Sequence, residues 1–348
     1  MNEPRALVVG PSWVGDMVMA QSLFQLLKAR RPDRPIDVIA PAVTAVLLAR
    51  MPEVAYAIPL NLPHGRLALR QRLALGWGLR HHHYEQAFIL PRSYKAALPA
   101  WASGARRRTG FLGEGRWGIL NDIRSEPKDH KLRTVDRFLL LGAEPGETPP
   151  KPVPPRLLTD ADNGRRILTG LGLPTEGPIL ALCPGAEYGP AKRWPAHHFA
   201  ALANIYRDRG WQVWLLGGPR DQEIARAIQA LSDKACVDFT GRTSLLDAVD
   251  LLGLATAVVS NDSGLMHVAA SLSRPLVAVF GSSDPEHTPP LDAHAIALSL
   301  HLSCSPCFAR TCPLGHLQCL AGLLPARVDA AIGDALATQK GDEPGARE

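Results

Sequence analysis

Residues 6–27, ALVVGPSWVGDMVMAQSLFQLL, run from an apolar strand through Gly10 and Gly15 into a helix. Asp16 stands where a nucleotide-binding loop of this spacing carries its lysine. A carboxylate there repels phosphate, which argues against ATP hydrolysis or kinase chemistry through this loop. The dinucleotide fingerprint also fails, because only two of its glycines are present. A helix N-terminus stabilises an ionised aspartate, and such a group takes the proton of an alcohol as that alcohol attacks another centre. The competing reading of Asp16 is a helix cap.

A second set of chemical groups lies in AVVSNDSGLMHVAA, residues 257–270. Ser263 and Gly264 open a helix and are small enough to let an anion reach its unpaired N–H groups. Asp262 reads as a cap or as an acceptor from a ligand hydroxyl. His267 lies one turn after Ser263 on the same face, as a structural histidine or as a phosphate or hydroxyl contact. CPGAEYGPAKRWP (183–195) places Lys192 beside an aromatic anchor, where it neutralises a diphosphate or is simply solvated. GGPRDQE (217–223) offers Asp221 and Glu223 to ribose hydroxyls. Together these describe a donor with an ADP-like leaving group on the second half and an acceptor hydroxyl on the first, with Asp16 as base. No carboxylate in these motifs is an evident covalent nucleophile, so a single displacement with inversion is the simpler scheme.

The elements that must position these groups follow from the pattern. Strands at 6–9, 36–40 and 86–90 alternate with helical spacing in the first half, and 178–185, 211–218, 255–264 and 275–281 repeat the programme in the second. That is an α/β chain with parallel sheets. TPPKPVPP at 148–155 has five prolines in eight residues and reads as a stiff connector. The expected organisation is an acceptor-binding domain over 1–150, a donor-binding domain over 151–338 and a frayed tail at 339–348, with ligands in a shared cleft beyond the strand ends. A length of 348 residues suits two such domains, and the charge of +5 favours an anionic partner. No apolar run reaches the roughly 20 residues of a membrane span, and the N-terminus lacks a signal-peptide layout, so a cytoplasmic protein is expected.

GPSWVGDMVMAQSL, LPRSYKAAL, RRTGFLGEGRWGILND, CPGAEYGPAKRWP and SNDSGLMHVAA resemble the ADP-heptose:lipopolysaccharide heptosyltransferase II group of the family 9 glycosyltransferases, over about residues 5–290. The resemblance implies the GT-B fold, two facing Rossmann-like domains, and inverting transfer of L-glycero-D-manno-heptose from ADP-heptose to heptosyl-Kdo2-lipid A. It implies Asp16 as general base, Lys192 on the phosphates, and Asp262, Ser263, Gly264 and His267 as the donor turn. Arg92, Ser93, Lys95 and Arg108 are then expected to face the anionic acceptor, at the inner face of the inner membrane. No nucleic-acid partner and no cofactor required for catalysis are expected.

Asp160–Asp162, a D-x-D, precedes a helical stretch and reads as a cap. Cys304, Cys307, Cys312 and Cys319 form C-x2-C-x4-C-x6-C, close enough for a structural zinc or iron-sulfur site. Cys183 and Cys236 read as buried apolar residues, and His81–His83 as solvent-facing. Two rivals stand beside the transferase. A nucleotide-sugar epimerase of the same fold would need no acceptor, and a non-catalytic lipopolysaccharide-binding protein would not need Asp16.

Overall fold

The computed structural model describes residues 4–62, 65–127 and 132–342. The chain divides into two compact units, Met1–Pro155 and Arg156–Glu348. In the first, β1 (Ala6–Val9), α1 (Val14–Arg30), β2 (Ile36–Pro41), α2 (Ala42–Ala45), β3 (Tyr56–Leu60) and α3 (Leu69–Gly78) are followed by β4 (Gln86–Ile89), α4 (Tyr94–Ala102), β5 (Arg107–Phe111), β6 (Asp122–Arg124) and α5 (Thr134–Gly142). All neighbouring strands pair in parallel, in the order β3-β2-β1-β4-β5-β6. The ALVV run of β1 is buried throughout, as a strand in the middle of a sheet with both faces covered requires. Leu7, Val9, Ile39 and Ile89 share one core cluster with Ala97 and Ala100 of α4.

The second unit runs α6 (Ala161–Gly170), β7 (Ile179–Cys183), α7 (Ala196–Asp208), β8 (Gln212–Leu215), α8 (Gln222–Leu231), β9 (Val237–Asp238), α9 (Leu245–Leu254) and β10 (Ala257–Asn261). α10 (Gly264–Ser271), β11 (Leu276–Val279), β12 (Ala295–Leu298), α11 (Gln318–Ala321) and α12 (Pro325–Asp342) complete it. Its parallel sheet has the order β12-β11-β10-β7-β8-β9. Leu180, Leu182, Val213, Val259 and Val277 from the strands pack with Trp194 and Phe199 in its core.

Both sheets therefore reverse direction once, between β1 and β4 and between β10 and β7. At such a switch point two adjacent loops leave the carboxyl edge on opposite faces and open a crevice between them. The loop after β1 leads into the first turn of α1 with Asp16, the loop after β4 carries Arg92, and those after β7 and β10 carry Lys192 and Asp262.

The proline stretch belongs to the first unit. Ser22 Oγ on α1 donates to the Val153 carbonyl at 2.7 Å and Gln25 Nε2 to that of Pro154 at 3.3 Å. At the other end α12 continues to Asp342, so the first residues of the stretch expected to fray are helical, and 343–348 lie outside the described residues.

Candidate functional site

Gly10 leaves β1 with its N–H bonded to the Ile39 carbonyl at 2.8 Å, and a Cβ at this position would stand 2.6 Å from the Met17 methyl carbon. Glycine lets the Met17 side chain pack directly against the turn, and a larger residue would have to displace that methyl group. Thr44 Oγ1 steadies the turn by donating to the Pro11 carbonyl at 3.1 Å. Trp13, in extended conformation, is the N-cap of α1 and makes no side-chain cap bond. Asp16 therefore occupies the third helical position, half-buried, and not the capping position itself. The unpaired N–H groups of the first turn place positive potential around its carboxylate.

The neighbouring loop after β4 carries Arg92 and Ser93, with Ser93 as N-cap of α4 and Lys95 in its first turn. Arg92 lies over the Phe111 ring at 5.4 Å and pairs with Glu126 at 2.7 Å. Arg108 does not present its fork outwards as expected of an acceptor contact. Its Nε donates to the Ile119 carbonyl at 2.6 Å and one terminal nitrogen to that of Ala105 at 2.7 Å. Arg107, from the same basic run, pairs with Asp122 at 2.7 Å and Glu144 at 3.1 Å. Cationic sequence became internal wiring because β5 is an inner strand, and its arginines meet the oxygens of β6 and its loops.

The residue that organises this edge is Arg116, which the sequence reading passed over. It is fully buried and donates to the carbonyls of Pro91 at 2.7 Å, Ser93 at 3.4 Å and Phe111. Burial lowers its pKa, partly offset by Glu114. The Glu114 carboxylate accepts the Tyr94 N–H at 2.7 Å, and a Cβ on Gly113 would lie 2.7 Å from the Arg92 carbonyl oxygen. The GEGRWG segment is thus the clamp on the loop after β4.

In the second unit Lys192 Nζ lies 2.5 Å from Asp262 Oδ2, with the aspartate side chain only 5% exposed and the lysine 17%. The ammonium also sits 5.1 Å from the centre of the Tyr188 ring. Asp262 is therefore the partner of Lys192 and not the cap of α10; that position belongs to Ser263, which makes no side-chain cap bond. Ser263 Oγ is 3.3 Å from Ser260 Oγ, and Ser263 and Gly264 remain half-exposed beside the unpaired N–H groups of the first turn. His267 is buried behind them. Desolvation lowers its pKa to about 4, against the raising effect of Asp262 and with that of Lys192, so at neutral pH it is an uncharged imidazole.

Asn261, also missed, ties the two loops together. It is fully buried, accepts the Trp194 N–H at 3.0 Å and donates to the Pro184 carbonyl at 2.7 Å. Trp194 is the expected anchor, buried with its indole N–H on the Leu323 carbonyl at 2.8 Å. Asp221 is committed to its own turn: Oδ2 accepts the Gly218 N–H at 2.9 Å, and a Cβ on Gly185 would stand 2.4 Å from it. Burial raises its pKa. Glu223 is exposed in the first turn of α8. Away from the site, Asp160 caps α6 through the Asn163 N–H at 2.9 Å, and Cys183 and Cys236 are buried. His81 and His83 are exposed and His82 half-buried. Among the described residues no helix is long and apolar enough to cross a membrane.

A carboxylate at one switch point and a lysine beside an open helix start at the other can serve proton abstraction and anion binding respectively. Comparison with known proteins identifies the family. The family model described as glycosyltransferase family 9 (heptosyltransferase) matches residues 72–318. The chain is 42% identical over 334 residues to lipopolysaccharide heptosyltransferase 2 of Escherichia coli (strain K12), covering 93% of this chain and 96% of the relative. It is 44% identical over 307 residues to lipooligosaccharide heptosyltransferase 2 of Haemophilus influenzae, covering 84% and 88%. The solved structure of E. coli ADP-heptose LPS heptosyltransferase II matches with a TM-score of 0.86 at 40% identity, over 97% of this chain and 99% of that one.

Proposed function

The chain belongs to glycosyltransferase family 9, and from that premise we infer that it moves L-glycero-D-manno-heptose from ADP-heptose onto heptosyl-Kdo2-lipid A in lipopolysaccharide core biosynthesis. Its two parallel-sheet units are those of the GT-B fold. The observation that carries the reading is that the switch points hold complementary groups: Asp16 at the start of α1, and Lys192 with Asp262 at the start of α10.

In the proposed reaction the diphosphate of the donor rests on Lys192 and on the N–H groups that open α10. Asp262 holds the ammonium in place before the donor arrives and shares it afterwards. The neutral His267 offers a hydrogen bond without adding charge. Glu223 is the remaining candidate for the ribose hydroxyls, Asp221 being held in its turn. An acceptor hydroxyl attacks the anomeric carbon, the bond from that carbon to the diphosphate oxygen breaks, and the hydroxyl proton passes to Asp16. ADP leaves and the configuration inverts. Arg92, Ser93 and Lys95 receive the anionic acceptor, Arg92 offering a planar fork suited to phosphate. The lipid anchor of that acceptor places the enzyme at the inner face of the inner membrane.

The test is mass spectrometry of a heptosyl-Kdo2-lipid A acceptor after incubation with ADP-heptose. Wild type is expected to add one heptose and Asp16→Asn none, while both bind ADP equally in calorimetry. A large loss of ADP binding in Asp16→Asn would make the carboxylate a structural group. No transfer by the wild type, with substrates that a known transferase consumes, would refute the substrate assignment.

A further inference from the structure

The four closely spaced cysteines take no part in the reaction described above, yet the fold brings them together. Cys304, Cys307, Cys312 and Cys319 line one small cavity of about 20 Å³, whose wall also includes Ala191 and Ser282. All four are free thiols. A cavity of this size holds a body of about one water molecule, which is also the scale of a single ion.

The turn after Cys312 closes through Gly315 N–H on the Cys312 carbonyl at 3.1 Å and uses left-handed backbone at Gly315 (φ 72°) and Leu317 (φ 50°), which keeps His316 and Leu317 on the cavity wall with Cys312. His316 borders the same cavity, but its Nδ1 accepts the Gln318 N–H at 3.0 Å, which leaves the cysteines as the ligand set. Among the described residues no three such side chains are gathered tightly enough to hold an ion as they stand. Binding must therefore draw the sulfurs inward, and the free energy of thiolate coordination is ample for side-chain rotations.

The segment that the cysteines bound is also the support of the lysine turn. The Arg310 carbonyl accepts the Ala191 N–H at 3.0 Å, and Phe308 N–H donates to the Ser282 carbonyl at 2.7 Å. Tyr188 Oη donates to the Phe308 carbonyl at 2.6 Å, and Ser305 Oγ to that of Gly281 at 2.6 Å. Gly189 passes so close that a Cβ there would stand 2.4 Å from the Arg310 carbonyl oxygen.

We propose that Cys304, Cys307, Cys312 and Cys319 bind one Zn²⁺ as a tetrahedral four-thiolate centre, and that this centre stiffens residues 304–319 and so positions the Gly189–Lys192 turn. Zinc is the ion whose preferred geometry and ligands match four thiolates. Each coordinated thiol gives its proton to solvent. The metal assignment stands on the cysteines alone; its consequence for the donor rests on the reading of Lys192 as the diphosphate contact.

The full chain, purified in reductant without added metal, is expected to carry about one zinc and no acid-labile sulfide. The metal-stripped chain should take up one Co²⁺ with the absorption of a tetrathiolate site, and Cys307→Ser/Cys312→Ser should take up neither ion while keeping its circular dichroism. A wild type that neither carries zinc nor takes up Co²⁺, or one that contains iron with sulfide, would overturn the assignment. Stripping should also weaken ADP binding by about tenfold, with zinc restoring it. If stripping leaves ADP affinity unchanged while Lys192→Ala lowers it, the positioning role is wrong. If Lys192→Ala is silent as well, the reading of Lys192 fails and the metal centre stands on its own measurements.

Discussion

At the residue scale the candidate donor site turns on a half-buried lysine, a buried aspartate and a buried neutral histidine. Lys192 and Asp262 neutralise one another at 2.5 Å, and His267 lies buried beside them. A buried ion pair contributes little net stability, because desolvation offsets its attraction, but breaking it leaves a charge unpaired. Its value is geometric: it fixes an ammonium beside the start of α10, where the proposed function puts the diphosphate. The histidine adds a pH dependence whose sign is fixed. Its folded pKa of about 4 lies below the unfolded value of 6.5, so between these the unfolded chain binds a proton that the folded chain refuses. Stability is therefore full above pH 6.5 and falls as the pH drops towards 4, by about 2 kcal/mol at pH 5 for this group. Urea unfolding at pH 7.5 and pH 5.0 is expected to show that loss in wild type and a smaller one in His267→Gln. Equal losses in the two would show that His267 is not the source of the acid limb.

The corresponding question for elements is what holds a loop to a strand end. In the first unit the answer is Arg116, whose guanidinium takes carbonyls from both the β4–α4 loop and the end of β5. Arg116→Met keeps the volume but strands the Pro91 and Phe111 carbonyls, at about 2–5 kcal/mol for the two. Thermal unfolding should fall accordingly, and at temperatures where the variant is folded the KM for the acceptor should rise with the KM for ADP-heptose unchanged. A rise in both would mean that the clamp does not act locally. The sequence alone made the inner strands and the loops that follow them readable, because their apolar runs and glycine turns are local signals. It did not reveal Arg116 or Asn261. Their roles depend on which strands become neighbours, Asn261 on β10 lying beside β7 and Arg116 reaching back to β4. The bonds of Arg108 were hidden for the same reason: nothing local in RRRTGF tells a solvated arginine from one bonded to the Ile119 carbonyl.

Across the whole molecule the modest charge of +5 conceals an asymmetry. Residues 1–155 hold 22 lysines and arginines against 13 aspartates and glutamates, a net +9, while residues 156–348 hold 16 against 20, a net −4. The cationic unit is the one proposed to receive the anionic, lipid-anchored acceptor. Several of its apolar side chains also face water: Leu67, Leu69 and Trp77 at the start and along α3, and Trp101 on α4, which packs against α3 through Gly76. Exposed Arg66 and Arg70 lie beside the first two. Basic groups with interfacial tryptophans suit a surface of anionic headgroups, each cation contributing about 1 kcal/mol close to the membrane and much less once salt screens it. The full chain is accordingly expected to sediment with vesicles containing anionic lipid and to be released by raised salt. Arg66→Glu/Arg70→Glu should weaken that binding by at least about tenfold while leaving transfer to a water-soluble acceptor fragment unchanged. Equal binding to neutral vesicles, or none lost on charge reversal, would mean that the charge of the first unit does not serve a membrane surface.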